Sequence, residues 1–235
     1  MTRLRKFVLF GAFVAIAFAL TGCVYLRLLQ VKRQIAAFDE NFSVATDIGV
    51  TITCRNPVLL TDDIRWLGLA PETSRTVGSA EEWRVRWVKQ LPPTIHEDGA
   101  FDIVLELVFS RDKLARISIP ERYFAVMSKK LLLDLLRSLG GAKVDKDKRA
   151  LEAQLASARP DLPGIEKLLG RPTGKTTQGD ETIYRYRYVP VTHGGLARVA
   201  VFDMAVHFET ATGNMRRWEG QTPVGKIGFR FDDKQ

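Results

Sequence analysis

Two stretches with one pattern decide the fold: WRVRWV at residues 83–88 and YRYRYV at residues 184–189. In both stretches, large aromatic or branched side chains alternate with arginines, and the arginines take the same two places. Alternation with a period of two is typical of a β-strand that has one buried and one exposed face. The stretches lie about 101 residues apart, and self-similarity at a fixed spacing predicts a repeated structural unit.

Flanking motifs agree with this repeat. LGLAP at residues 67–71 has a counterpart in LGRP at residues 169–172, and Phe101-Asp102 has one in Phe202-Asp203. The matches share nearly one offset, although the remaining sequence of the two segments has diverged. We therefore expect two copies of one unit.

Each copy predicts a short helix followed by an antiparallel sheet. The helix would begin near an N-cap at Thr61 or Asp161 and end at the Leu-Gly pair, where glycine suits a helix end and proline follows. Two alternating strands come next, and a third is expected at Leu114–Ile119 or Met215–Trp218. The expected fold class is α+β, with two tandem helix-plus-antiparallel-three-strand units.

The segments outside the copies complete a five-part organisation. Apolar residues at helical spacing predict helices from Pro120 to Leu139 and from Lys146 to Ala158, which form a two-helix insert. The expected parts are a signal peptide at 1–22, a helix with a strand or hairpin at 23–60, the first unit at 61–119, the helical insert at 120–160, and the second unit with a C-terminal strand at 161–235. Within them we expect a helix over Val24–Phe38, a hairpin over Phe42–Cys54 and an edge strand over Lys226–Phe231.

The N-terminus resembles a bacterial lipoprotein signal peptide. A basic start in residues 1–6 precedes an uncharged apolar run at 7–20, and the motif Leu20-Thr21-Gly22-Cys23 follows. This motif resembles a lipobox, in which the family attaches a diacylglyceryl group to the cysteine sulfur, cleaves before that cysteine and acylates the new amine. The resemblance implies lipidation at Cys23, and several acyl chains anchor a protein stably.

An uncleaved signal anchor is the alternative. Residues 7–26 are about twenty mostly apolar residues, which suffice to span a bilayer at about 1.5 Å per residue. The cysteine directly after a small pair favours the lipoprotein. Val24 is not the aspartate that the family's sorting rule reads as retention in the inner membrane. We therefore expect the periplasmic face of the outer membrane, with the periplasmic side of the inner membrane as the alternative.

Composition excludes several classes of protein. The 235 residues are 46% hydrophobic and 26% charged, as in ordinary globular chains. Two cysteines and three histidines are too few for a disulfide scaffold or a His-rich metal centre. Loss of Arg3, Arg5 and Lys6 with the signal peptide lowers the formal charge from +8 to +5. That excess suits a solvated surface, and no nucleic-acid partner is expected.

Lipidation of Cys23 would leave Cys54 alone. Cys54 alternates with Val50 and Ile52 along the predicted strand, so it should share their face. Burial as a small apolar side chain is the favoured interpretation, and an intermolecular disulfide is the alternative.

This chain resembles the SmpA/OmlA (BamE-like) lipoproteins in four features. They are the Leu-Gly-x-Pro motif, the aromatic alternating strand, the second strand and the turn. The second copy, at roughly 162–219, matches that pattern better than the first, at roughly 61–119. The resemblance implies a unit that accompanies the outer-membrane β-barrel assembly machinery. The layout is also similar to the tandem β-lactamase-inhibitor proteins, which grip their target with a concave sheet. Both are resemblances of fold, and function must be argued from the site.

Four arginines of the repeated strands are the candidate binding residues. They are Arg84, Arg86, Arg185 and Arg187. Alternation places them opposite the aromatic side chains, on the exposed face. Cross-strand ion pairs with Asp102 or Glu106 would account for the first two as surface contacts of about 0.2–1 kcal/mol each. Alternatively, the four line a docking surface for a partner's carboxylates or a lipid phosphate.

Motifs of catalysis are absent from the sequence. It contains no serine nucleophile motif, phosphate-binding glycine loop or metal-ligand spacing. His96 and His193 lie in expected loops, and an enzyme would need His193 or His207 beside a carboxylate with a strongly perturbed pKa. We expect no catalytic residue, no metal and no cofactor.

These observations predict a non-enzymatic, lipid-anchored envelope protein that binds a partner protein as an accessory or scaffold. An inhibitor or binding module of the β-lactamase-inhibitor type is the alternative, and one continuous sheet made by both copies would favour it. An uncleaved, inner-membrane signal-anchored domain is the second alternative.

Overall fold

A computed structural model of the chain describes residues 24–92, 101–125, 128–145, 150–155, 159–193, 195–196, 201–222 and 225–231. The helices are α1 (24–36), α2 (Phe38–Asn41), α3 (Thr61–Trp66), α4 (Lys129–Gly141) and α5 (Leu162–Leu169), and a 3-10 turn at Glu121–Ala125 precedes α4. The first seven strands are β1 (Phe42–Ala45), β2 (Val50–Cys54), β3 (Thr73–Val77), β4 (Ala80–Lys89), β5 (Ile103–Ser110), β6 (Lys113–Ile119) and β7 (Lys143–Asp145). The others are β8 (Ala150–Leu155), β9 (Gly174–Gln178), β10 (Glu181–Thr192), β11 (Gly195–Leu196), β12 (Phe202–Glu209), β13 (Met215–Thr222) and β14 (Gly225–Phe231).

All the described strands belong to one 14-stranded sheet. Its main path runs β1-β2-β6-β5-β4-β10-β12-β13-β14-β8-β7, while β3 pairs with β4, and β9 and β11 pair with β10. β4 and β10 meet antiparallel at the middle, where Val88 lies opposite Val189. Backbone hydrogen bonds therefore run unbroken from the first half of the chain into the second.

The sheet has an apolar face and a polar face. On β4, Trp83 and Val85 are 1% and 0% exposed, whereas the intervening Arg84 is exposed. Register keeps the same division on β10, where Tyr184 and Tyr186 are buried and Arg185 is exposed. Because paired residues point to the same side, the division continues across the sheet.

Helices pack on the apolar face. Ile64 of α3 contacts the cluster around Trp83, and Ile165 of α5 contacts the cluster around Tyr184. α4 packs against both the second cluster and a third one around Phe38. Burial of this apolar area is the main stabilising contribution, and among the described residues no helix packs on the polar face.

The expected fold class is wrong. The chain does not form two tandem helix-plus-three-strand units with a two-helix insert; it forms one large mixed sheet with short helices. The 101-residue similarity lies in β4 and β10, which pair with each other and merge their surroundings into one sheet. Local alternation specifies a strand, but it does not specify which strand pairs with it.

The insert and the tail differ from expectation for the same reason. The helix expected over Lys146–Ala158 is in its described part the strand β8, which pairs in parallel with β14. The first insert helix is confirmed as α4, after the 3-10 turn. The tail is a strand, but β14 lies between β13 and β8 and is not at an edge. β8 and β7 extend the sheet beyond the tail.

The N-terminal helix is fixed to the body. Residues 24–36 are helical as expected, and the hairpin β1–β2 turns at Gly49, whose φ is +75°. Lys32 donates a hydrogen bond to the carbonyl of Ala142 at 2.9 Å. The backbone of α1 also lies so close to α4 that a Cβ on Gly140 would be 2.5 Å from the Cα of Ala36. α1 is thus a packed element of the helical layer.

Among the described residues, no helix combines the length and apolar character needed to cross a membrane. The apolar run at 7–20 lies outside the described residues.

Candidate functional site

The polar face contains two grooves, one in each half of the sheet. The first has a volume of about 490 Å³ and is lined by residues of β3 to β6. Its charged side chains are Arg75, Glu82, Arg84, Glu106 and Arg116. Val108 adds an apolar side chain to the lining, so charges of both signs surround a small apolar surface.

The second groove has a volume of about 800 Å³ and is lined by residues of β8, β10 and β12 to β14, together with Thr173. Its charged side chains are Glu152, Arg185, Arg187, Asp203, Glu219 and Lys226. Met204 and Ala205 line its floor. Three bases and three acids make this groove neutral overall but strongly polar.

The structure places the four candidate arginines on the same face. Arg84 and Arg185 each line one groove, Arg187 lines the second, and Arg86 lies near the middle, opposite Val191 of β10. The two grooves therefore lie on the same side of one sheet, whose halves are joined by the pairing of β4 with β10.

Arg84 and Arg86 share an acidic partner. Glu72 lies 3.1 Å from Arg84 Nε through one carboxylate oxygen and 3.1 Å from Arg86 Nη1 through the other. Arg86 also donates from Nε and Nη2 to Asp102 at 2.9 and 2.7 Å. Hydrogen bonds with Asp102 and then with Glu72 raise the pKa of Arg86, and desolvation opposes them. Asp102 is 3% exposed, so Arg86 neutralises a buried carboxylate.

The arginines of β10 are less engaged. Arg187 Nε lies 3.8 Å from Asp203, and both side chains are more than half exposed. Within the described part of the chain, the exposed side chain of Arg185 has no ion pair. Long exposed pairs contribute little to stability, so these two side chains can reorient towards a bound molecule at small cost.

His207 lies on the polar face but is enclosed. Its side chain is 5% exposed, and Nδ1 lies 3.2 Å from Glu181 Oε2 and 3.2 Å from Arg217 Nη2. Burial and then the charge of Arg217 lower the pKa of His207, against the opposing effect of Glu181. His207 is absent from the lining of both grooves. The imidazole is neutral at pH 7 and sits inside an ion-pair network rather than in an open pocket.

The other predicted residues lie away from the two grooves or outside the described residues. Five of them lie outside the described residues: the lipobox residues Leu20, Thr21 and Gly22, the lipidation site Cys23, and His96. His193 is in an exposed turn after β10. Cys54 is half-buried in the cluster around Phe38, and burial raises the pKa of its thiol to about 11. Cys54 shares the face of Val50 and Ile52 as predicted, but its burial is partial and not complete.

No group of three or more histidine, cysteine, aspartate or glutamate side chains in the described ranges could hold a metal ion. The grooves instead offer guanidinium donors and carboxylate acceptors, which suit hydrogen-bonded recognition.

Sequence reasoning missed several residues of the site. Glu72 precedes β3, and nothing in its sequence neighbourhood marks it as the partner of two arginines. Glu152 and Lys226 reach the second groove because β8 pairs with β14, a contact that alternation alone does not predict. The alternation of Leu151, Ala153 and Leu155 with polar residues could have identified β8 as a strand, but not its pairing with β14.

No protein-family model, curated protein or solved structure matches this chain. The resemblances to BamE-like lipoproteins and to β-lactamase-inhibitor proteins therefore stay expectations from sequence motifs.

Proposed function

We propose that this chain is a lipid-anchored, non-enzymatic envelope protein that holds a partner protein on the polar face of its sheet. The observation that supports the proposal best is the helix-free polar face, on which two grooves lie within one continuous sheet. A sheet that is buried by helices on one face and accessible at two grooves on the other offers a broad, rigid surface. Such a surface suits contact with another folded protein.

The charges of the grooves favour a protein as the partner. Bases and acids alternate in both grooves, so a nucleic acid or an anionic lipid surface would meet Glu106 in one and Glu219 in the other. Repulsion by these carboxylates works against a polyanion, whereas a protein surface with charges of both signs can complement them. Arginine at the centre of such a surface is typical of protein interfaces.

Anchoring belongs to the proposal because of the N-terminal motif. Acylation of Cys23 would place residue 24 at the membrane, with the folded body in the periplasm at the outer membrane or, in the alternative, at the inner membrane. The resemblance to BamE-like lipoproteins makes the outer-membrane assembly machinery the first partner to examine.

The test is photo-crosslinking in intact cells followed by pull-down. A photoreactive residue at Ala205, on the floor of the second groove, should crosslink to a partner, and one at the exposed Lys130 of α4 should not. Equal crosslinking from both positions would contradict a partner on the polar face. Recovery of nothing from the assembly machinery would contradict that choice of partner.

Charge substitutions on the same face sharpen this test. In the triple variant Arg84→Ser, Arg185→Ser, Arg187→Ser, partner recovery should fall about tenfold, which corresponds to about 1.4 kcal/mol. Arg86 is retained because its loss would leave the buried Asp102 without its cation. The matched control replaces the exposed basic residues Arg55, Lys130 and Arg137 with serine, so it loses the same charge elsewhere. Equal recovery from both triple variants would reject the polar face.

An inhibitor-type binding module is the second candidate function. The pairing of β4 with β10 favours it, because one uninterrupted surface can cover the active site of a target enzyme. An inhibitor would abolish the activity of the captured partner, and a scaffold would leave it unchanged. Activity measured in the purified complex separates the two.

A further inference from the structure

Apolar side chains are exposed at one end of the helical layer. Tyr25, Leu26 and Leu29 of α1 are 61%, 66% and 55% exposed, and Trp66 at the end of α3 is 42% exposed. We call these four residues the N-terminal patch. The rings of Tyr25 and Trp66 meet edge to face at 5.7 Å, so the patch continues from α1 onto α3. Exposed apolar groups that cluster in this way usually mark an interaction surface.

The patch lies beside the apolar run of the sequence. Tyr25 is five residues beyond Leu20, where the uncharged run ends. At about 1.5 Å per residue, Leu29 lies about 7.5 Å along the helix axis from residue 24, the first described residue of α1. That distance is comparable to the thickness of the headgroup region of a bilayer leaflet. The exposed side of α1 then turns polar, with Gln30 and Arg33.

α1 cannot present these residues independently of the body. Arg27, between the exposed residues of the patch, forms an ion pair with the buried Asp63 of α3 at 2.5 Å. The close contact of Gly140 with Ala36 fixes the other end of α1. Since α1 and α3 are joined here, whatever covers the patch also fixes the orientation of the sheet.

We propose that the N-terminal patch inserts into the headgroup region of the membrane and orients the protein on it. Tyrosine and tryptophan are the side chains that favour this region, because their rings are apolar and their polar atoms reach water. Leu26 and Leu29 add apolar area next to them, as in helices that lie at the membrane surface. The patch is fitted to a lipid surface because the adjoining chain, lipidated or spanning, enters the membrane at this point.

This inference rests on the anchoring in the proposed function, and tryptophan fluorescence of the full-length protein tests it. The protein is reconstituted into vesicles of phosphatidylethanolamine and phosphatidylglycerol with brominated acyl chains, which quench tryptophans at the membrane. The chain has four tryptophans and residues 1–23 contain none, so quenching cannot arise in the anchor segment. Trp83 is 1% exposed, whereas Trp66 is in the patch.

We expect brominated vesicles to quench part of the wild-type emission. Trp66→Phe should reduce the quenched fraction at least twofold, and the control Trp218→Phe, in the second half of the sheet, should leave the quenched emission unchanged. The double variant Leu26→Gln, Leu29→Gln alters exposed positions and should also reduce quenching of Trp66. Equal quenching in wild type and Trp66→Phe would overturn the proposal. This is the result expected if a protein, rather than lipid, covers the patch.

Vesicle flotation separates failure of this inference from failure of the anchor. Wild-type protein that floats with vesicles but shows no quenching of Trp66 overturns the patch and leaves the anchor intact. Protein that does not float overturns both. Partner capture on the polar face is measured separately and does not depend on either result.

Discussion

The guanidinium of Arg27 in α1 lies 2.5 and 2.6 Å from the two carboxylate oxygens of Asp63, which is fully buried in α3. Asp63 also accepts the backbone N–H of Leu60 at 2.8 Å, and so caps the start of its own helix. One carboxylate thus connects the N-terminal helix α1 to the body. The predicted N-cap at Thr61 is one residue late, since Leu60 occupies that place, whereas Asp161 is the N-cap of α5 as expected.

Loss of Arg27 should therefore destabilise the folded chain strongly. In Arg27→Ala the carboxylate of Asp63 stays buried without its cation, and we expect the free energy of unfolding to fall by about 3 kcal/mol. Urea denaturation measures it. Arg33→Ala is the control because Arg33 is exposed on the same helix, and its effect should stay within about 0.5 kcal/mol. Similar effects of both substitutions would contradict a structural role for the ion pair.

Asp63 should also make the free energy of unfolding depend on pH in the acidic range. Burial favours its neutral form, but hydrogen bonds from Arg27 and Leu60 and the charge of Arg27 outweigh burial and lower the pKa of Asp63. A carboxyl whose pKa is lowered on folding stabilises the protein above its unfolded pKa of about 3.9, and this contribution disappears as pH falls through the folded pKa. The difference in unfolding free energy between wild type and Asp63→Asn should be constant at neutral pH and shrink below about pH 4. A difference that is independent of pH would show that Asp63 does not titrate in this way.

Lys89 should hold the two halves of the sheet together. It lies at the end of β4, is 9% exposed, and donates to the carbonyls of Leu169 at 2.5 Å and Arg171 at 3.0 Å, at the C-terminal end of α5. Lys89→Met keeps the apolar stem but leaves buried carbonyls without this donor, so we expect a loss of about 1–3 kcal/mol in the unfolding free energy. Lys113→Met, at an exposed position of β6, is the control. No difference between the two variants would disprove the role of this contact.

Two neighbouring glycines should respond oppositely to alanine. A Cβ on Gly140 would lie 2.5 Å from the backbone of Ala36, whereas one on Gly141 meets nothing within 4 Å. Gly140→Ala should separate α1 from α4 and cost about 1–3 kcal/mol. Gly141→Ala should be neutral or stabilise α4 by up to about 1 kcal/mol. Thermal denaturation midpoints that shift downward equally in both variants would refute the close packing of α1 on α4.

Fatty-acid labelling should depend on one of the two cysteines. A fatty-acid analogue fed to cells should label the wild type and Cys54→Ser, and label should be lost in Cys23→Ser. Cys54 is a suitable control because its thiol is half-buried and its pKa is raised to about 11, which keeps it unreactive. Label retained in Cys23→Ser would exclude the lipobox, and unchanged membrane attachment of the unlabelled variant would favour a signal anchor.

Strand faces could be predicted from the sequence, but strand neighbours could not. Alternation correctly assigned Trp83 and Tyr184 to the buried face and the intervening arginines to the other. Residues 150–155 were assigned to a helix because alanine, leucine, glutamate and glutamine all favour helix, although the segment also alternates. There the distant strand β14 offered a hydrogen-bonded edge, and tertiary pairing outweighed local preference.

The same limit applies to the candidate site. The contact of Arg86 with Asp102 followed from neighbouring strands, whereas Arg84 pairs with Glu72 instead of Glu106. Glu72 reaches the arginine because β3 folds back on β4. A loop residue of this kind belongs to no periodic pattern, so its contact with Arg84 can be identified only from the folded sheet.

The position of β14 has a consequence for how the chain folds. β8 finds its parallel partner about 75 residues later, in β14, which is the last strand among the described residues. β7 and β8 can pair with each other as soon as both have been synthesised, but this pair joins the rest of the sheet only through β14, and slow closure is expected from contacts so distant in sequence. Until β14 arrives, the edge of β8 that faces away from β7 is open to any extended segment. β14 therefore joins the β7–β8 pair to the rest of the sheet and covers the edge of β8 against aggregation.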